Sequence, residues 1–184
     1  KTLDANIIVT ATGLNLVVLG EMQFAVDGVP VDFAQTWTYK GMMYSGVPNM
    51  VSTFGYINAS WTLRADLTSE YVCRLINHMD ETGTRQAVPR LRAADQNMPA
   101  RPWIDQFSSG YMQRMMHRFP KQGDHEPWIN PQDYARDKKM IRLGPLEDGA
   151  LIFSKRAAPT TSAAPPAREI RDRRSDPLQP VGSH

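Results

Sequence analysis

GYINASWTLRADLTSEYVCRLINHM, residues 55–79, opens with a glycine and small polar residues and then enters a pattern of helical spacing. Leu63, Leu67, Tyr71, Leu75 and Met79 follow at steps of four, and Val72 and Ile76 widen the stripe. That period puts the apolar side chains on one face of an amphipathic helix. The spacing predicts a helix from about Ser60 to about Thr82, stopped by Gly83. Asn58 or Ser60 supplies the cap, because a short polar side chain satisfies an N–H of the first turn.

Upstream, Asn6-Ile7-Ile8-Val9-Thr10-Ala11-Thr12-Gly13 is a short β-branched run ending at a glycine. It suits a strand buried on both faces, as in a parallel sheet. Phe24 to Phe33 places Asp27-Gly28 between two apolar pieces, the signature of a tight hairpin. Pro30 keeps its second strand at an edge. Tyr39–Tyr44 and Asn49–Phe54 read as two extended segments divided by the Gly46-Val47-Pro48 turn. Downstream, residues 87–102 are proline- and arginine-rich and predict a surface crossing. Ser108 is placed to cap a short helix through Phe119, Pro131–Leu143 carries another, and Leu146–Phe153 is extended. From Ala157 the chain turns to Ala, Pro, Ser, Thr and Arg, too little apolar surface to offset the entropy of ordering. We expect a disordered tail over 157–184.

A chain of 184 residues is long enough for one core, and its net charge of +2 gives no sign of a nucleic-acid or membrane-surface partner. The single cysteine, Cys73, leaves no internal disulfide and no zinc-type cysteine pair, which suits a reducing, cytoplasmic setting. No run approaches the ~20 apolar residues of a membrane span. The chain starts at Lys1 without a methionine, so further sequence upstream is expected.

The helix mouth is the first candidate for chemistry. Free N–H groups and a partial positive charge there bind phosphates, carboxylates or the electron-rich carbonyl edge of a flavin ring. A plain capped helix has the same sequence. His78, His117, His125 and His184 form no ligand-spaced pair. His125 reads as a solvated loop residue, and His78 as a partner of the helix C-terminal dipole. Cys73 reads as a packed thiol. Met42, Met43, Met112, Met115 and Met116 read as core filler. Neither a Gly-x-Ser-x-Gly elbow nor a Gly-x-Gly-x-x-Gly or Gly-x-x-x-x-Gly-Lys loop occurs.

Three stretches together resemble one family. Asp4-Ala5-Asn6-Ile7-Ile8-Val9-Thr10-Ala11-Thr12-Gly13-Leu14 is similar to the Ala-Thr-Gly strand of class B flavoprotein monooxygenases, where the NADPH domain returns to the FAD domain. Tyr39-Lys40-Gly41-Met42-Met43, Gly46-Val47-Pro48-Asn49-Met50 and Gly55-Tyr56-x-Asn58-Ala59-Ser60-Trp61-Thr62-Leu63 resemble the segment that completes the FAD fold. Phe119-Pro120-Lys121-Gln122-Gly123, Pro127-Trp128 and Tyr134-x-x-Asp137 resemble its C-terminal region. The resemblance runs from about Asp4 to Arg156. It looks most like the Baeyer–Villiger subgroup that includes thioamide-prodrug-activating enzymes of actinobacteria.

The resemblance implies an α/β fold: the C-terminal part of a flavoprotein with two Rossmann-like dinucleotide-binding domains, for FAD and NADPH. Residues 1–86 would close the FAD domain and 87–156 would be an extension packed on it. It implies that Asn58, Ala59, Ser60 and Thr62 face the flavin beside Gly55, and that Gly13 serves the crossing between domains. FAD and NADPH would be held mainly by the missing N-terminal half, which also carries the glycine-rich loops and the catalytic arginine. The expected chemistry moves one oxygen atom of O₂ into a ketone or onto a soft sulfur. The alternatives are a truncated, non-enzymatic remnant acting as an interaction module, and a related amine-hydroxylating flavoprotein.

Overall fold

The computed structural model describes residues 4–11, 13, 16–105 and 110–155. Thr12, Leu14, the Ser108 cap and the tail 157–184 lie outside the described residues. The fold is organised on one long helix, α1 (Trp61–Thr82), with the predicted bounds. The Ser60 Oγ accepts from the Thr62 N–H at 3.3 Å, and Gly83 closes the helix at φ 64°, a left-handed conformation that costs glycine nothing. Leu67, Tyr71 and Leu75 are buried as the stripe requires, but Ile76 is 52% exposed. Cys73 is exposed, not packed. At about 100° per residue it stands roughly 200° around the helix from Tyr71.

Three small two-stranded antiparallel sheets accompany α1 among the described residues. Strands β1 (Ala25–Val26) and β2 (Val29–Pro30) form the expected hairpin, with Asp27 and Gly28 both at positive φ. Pro30 is exposed on its edge. Tyr39–Tyr44 is not one extended segment. Strand β3 (Thr38–Tyr39) folds back on β4 (Met43–Tyr44) through Lys40 and Gly41, at φ 51° and 66°. Here a lysine takes a conformation that turn-residue statistics reserve for glycine, asparagine and aspartate.

Residues 87–102 are not merely a surface crossing. Strand β5 (Gln86–Pro89) is mostly buried and pairs antiparallel with β6 (Leu151–Ser154), which realises part of the expected terminal extended piece. Short helices α2 (Gly110–Met115) and α3 (Tyr134–Lys138) complete the structure, α3 running into a π-helical turn at Lys139–Leu143.

The main core gathers Tyr39, Met42, Leu67, Tyr71, Trp128, Ile141 and Leu151, so residues on both sides of position 86 build one cluster. Met42, Met43 and Met112 are buried, as filler should be. The buried parallel strand expected at the start is not found among the described residues. Residues 6–11 and 13 form no ladder, and Ile7, Ile8 and Val9 are 82%, 81% and 84% exposed. A β-branched run is buried only where strands flank it, and no described strand does.

Candidate functional site

The mouth of α1 begins at a buried glycine. A Cβ at Gly55 would overlap the Trp61 indole, so the ring lies on bare backbone there. Tyr56 is buried, Ile57 is half-buried, and Asn58, Ala59, Ser60, Trp61 and Thr62 emerge exposed. Four sequence-derived candidates, Asn58, Ala59, Ser60 and Thr62, therefore share one surface above Gly55. Gly13 is not part of it as far as the described contacts go. It is exposed at φ 86°, with no non-neighbouring heavy atom within 4 Å of its Cβ position. Replacing Gly55 by alanine is expected to unseat Trp61 and cost about 1–3 kcal/mol, read by urea denaturation with a red shift in tryptophan emission.

Trp61 also borders an open cleft of about 310 Å³ lined by Leu16, Tyr44, Phe54, Trp61, Trp103 and Phe119, among others. Its aromatic wall is continuous. Trp61 meets Phe54 at 5.1 Å between ring centroids, Phe54 meets Trp103 edge-on at 4.6 Å, and Trp103 stacks on Phe119 at 5.1 Å. Sequence reading missed this wall, because Trp103 and Phe119 reach it from a different part of the chain, with no shared period to reveal them.

At the mouth Ser60 satisfies one N–H of the first turn and its hydroxyl lies 2.7 Å from that of Thr62. The first-turn N–H groups have no partner within a helix and carry partial positive charge. No described residue bonds the Asn58 amide. A capped, exposed helix start beside an aromatic wall has the chemistry to take a flat molecule with an electron-rich edge.

Beneath the mouth lies a buried polar cluster that sequence reading also missed. Arg64, 1% exposed, projects inward from the first turn of α1 and pairs with the fully buried Asp137 of α3 at 2.5 Å. The Tyr56 hydroxyl donates to the same carboxylate oxygen at 2.9 Å. Arg64 also donates to the Lys40 carbonyl at 2.5 Å, and Gly41 has no room for a Cβ beside its guanidinium. Burial pushes the Asp137 carboxyl up from its ordinary range, against the pull of Arg64.

Two other clusters hold the fold. Lys40 donates to the Pro145 carbonyl at 3.1 Å and lies 3.4 Å from Asp148, and burial lowers its pKa. The Tyr39 hydroxyl donates to Asp148 at 2.7 Å, and Tyr71 donates to Tyr39 at 3.3 Å, its own pKa pushed up by burial to about 12. Asp95, fully buried, receives Arg92, the Trp128 indole N–H and His125. His125 is thus not simply a solvated loop residue: its ring nitrogens lie 2.9 Å from Asp95 and 2.6 Å from Asp124. His78 lies 3.1 Å from Glu147 and packs edge-on against Phe153. Among the described residues no group of three or more His, Cys, Asp or Glu is placed to hold a metal, and no helix is long and apolar enough to cross a membrane.

Comparison with known proteins agrees with the resemblance read from the residues. The chain is 48% identical over 159 residues to the FAD-containing monooxygenase EthA of Mycobacterium tuberculosis (strain ATCC 25618 / H37Rv), covering 86% of this chain and 32% of that protein. It is 41% identical over 169 residues to the probable FAD-binding monooxygenase AlmA of Acinetobacter sp, covering 90% of this chain and 33% of the relative. It is 40% identical over 160 residues to the putative FAD-containing monooxygenase MymA of Mycobacterium tuberculosis (strain ATCC 25618 / H37Rv), covering 85% and 31%. The chain therefore spans about a third of the length of the curated relatives it matches. No family model and no solved structure matches it.

Proposed function

We propose that this chain is the C-terminal part of an FAD- and NADPH-dependent monooxygenase built on two Rossmann-like dinucleotide-binding domains. The observation that carries the proposal is the capped mouth of α1 opening beside an aromatic cleft, in a chain 48% identical to an FAD-containing monooxygenase. When bound and reduced by NADPH, FAD supplies the activation of O₂ that no protein side chain provides.

The residues present fit that group. The first-turn N–H groups of α1 would hold the electron-rich carbonyl edge of the ring, with Ser60 and Thr62 fixing the geometry of the turn and Asn58 and Ala59 beside them. Gly55 and Trp61 set the floor, since the indole packs where a side chain would otherwise stand. Phe54, Trp103 and Phe119 keep water from one side of the cleft and offer an apolar surface to a ketone or a soft sulfur compound. The exposed apolar run Ile7-Ile8-Val9 is what a strand of the FAD domain would present to neighbours supplied by the rest of that flavoprotein. Gly13, at positive φ, would serve the crossing between domains.

The complete protein, supplied with FAD and NADPH, should oxidise NADPH only with O₂ present and add one oxygen atom to an apolar ketone or a sulfide, read by mass spectrometry. Bound FAD without any oxygenated product across both substrate classes would defeat the proposal.

A further inference from the structure

One carboxylate oxygen ties together the two ends of the helix mouth. Asp137 Oδ2 accepts from the Tyr56 hydroxyl at 2.9 Å and lies 2.5 Å from Arg64 Nη1. Tyr56 stands just before the exposed residues 58–62, and Arg64 just after them. The guanidinium lies over the Tyr56 ring at 5.8 Å, which closes the loop a second time. A third bond fixes its start beside Tyr56: the Ile57 N–H donates to Gln132 Oε1 at 3.0 Å, and Gln132 donates in turn to Asn130 at 3.2 Å. Every one of these partners comes from the segment 130–137, which also carries α3.

Stability alone does not require such a device. A buried ion pair is often matched or exceeded in stability by apolar side chains of similar volume. What polar groups add is direction. Tyr56, Arg64 and Gln132 permit one height and one rotation of the mouth, whereas an apolar contact would tolerate sliding. A displacement of about 1 Å at a reacting centre costs as much as ~100-fold in rate, so this direction bears on function.

We propose that Tyr56, Arg64, Gln132 and Asp137 are positioning residues that clamp the mouth of α1 against the flavin, and that segment 130–137 thereby governs how oxygen transfer is coupled to NADPH consumption. The proposal rests on the flavin reading given above. Its chemistry makes no new bond: the clamp keeps the first-turn N–H groups aimed while oxygen is delivered to substrate, and a loosened mouth lets O₂ be reduced to H₂O₂ by the electrons of NADPH instead.

The test uses the complete FAD-loaded protein. Tyr56→Phe removes only a hydroxyl, Gln132→Met removes the bonds to Ile57 and to Asn130, and Arg64→Lys keeps the charge while losing the fork. Asp95→Asn serves as a control that disturbs the fold away from the mouth. In Tyr56→Phe and Gln132→Met we expect FAD still bound, a changed visible circular dichroism of the flavin, KM nearly unchanged, and H₂O₂ released per NADPH up by about threefold to tenfold. Arg64→Lys should fall between wild type and Arg64→Met, and Asp95→Asn should keep wild-type coupling at a temperature where it is folded. Unchanged flavin dichroism and coupling in both Tyr56→Phe and Gln132→Met would overturn the clamp while leaving the flavin reading intact. A wild-type protein that binds no FAD would overturn both. If either variant does not fold, the other decides alone.

Discussion

Arg64→Met is expected to cost roughly 3–5 kcal/mol of stability, because it leaves the Asp137 carboxylate buried without its cation. Both side chains are almost wholly shielded, at 1% and 0% exposure, so solvent gives the stranded charge little relief. Tyr56 would still donate to Asp137, but one neutral donor does not replace a guanidinium. Asp137 already has its pKa raised by burial, and without Arg64 it should take up a proton at still higher pH. Urea denaturation of the two single variants and of Arg64→Met/Asp137→Leu makes the cycle. The double variant should recover most of the lost stability, since it removes the uncompensated charge along with the pair. A single variant within about 1 kcal/mol of wild type would mean that the pair is not formed.

Asp95→Asn is expected to cost a comparable amount, about 3–5 kcal/mol. Asp95 is fully buried and accepts from the Arg92 guanidinium at 2.8 Å and 2.9 Å, from the Arg92 N–H at 2.9 Å and from the Trp128 indole at 2.8 Å. An amide can accept through only one of its two terminal atoms, so at least one cationic donor is left facing another donor. The pH profile gives a second, independent reading. Arg92 above all holds the Asp95 carboxyl well below the ordinary range, so its contribution is present above the unfolded pKa near 3.8 and is lost as pH falls toward the lower folded value. His125 has the opposite sign. Asp95 and then Asp124 raise its pKa above 6.5, so its contribution is complete below 6.5 and fades as pH rises through the folded value. Wild type should therefore be most stable between these limits, and Asp95→Asn should flatten both flanks. A variant whose profile keeps the wild-type shape would sink this assignment.

What the sequence disclosed was local. The bounds of α1 were legible because the apolar period, the Ser60 cap and the Gly83 stop lie within one stretch. The β1–β2 hairpin was legible because Asp27-Gly28 names its own turn. Where a structure joins distant residues, the signal failed. β5 finds β6 across more than sixty residues, and the pairing of Gln86 with Ser154 leaves no local trace. The β3–β4 turn failed for a different reason, since Lys40 at positive φ contradicts ordinary turn chemistry, and its buried side chain is held by Pro145 and Asp148. Exposure of Cys73 could have been read from the helical period itself.

The candidate site divides the same way. Asn58, Ala59, Ser60 and Thr62 were named from helix-start chemistry and resemblance, and they do emerge together. The aromatic wall, the Arg64–Asp137 pair and the Gln132 strut belong to tertiary structure, and a charged residue inside the first turn of an amphipathic helix reads as solvated until its partner is seen. Gly55 lies against the helix mouth because it has no side chain. Its role is close packing under Trp61, not unusual backbone freedom.

The most direct test of a flavin at the mouth of α1 is an FAD titration of the complete protein followed by tryptophan emission, in wild type and in Trp61→Phe. The account predicts saturable quenching in wild type, and in Trp61→Phe a smaller quench with FAD still bound by its own absorbance. FAD binding with the same quench in both proteins would place the flavin away from Trp61 and contradict the account.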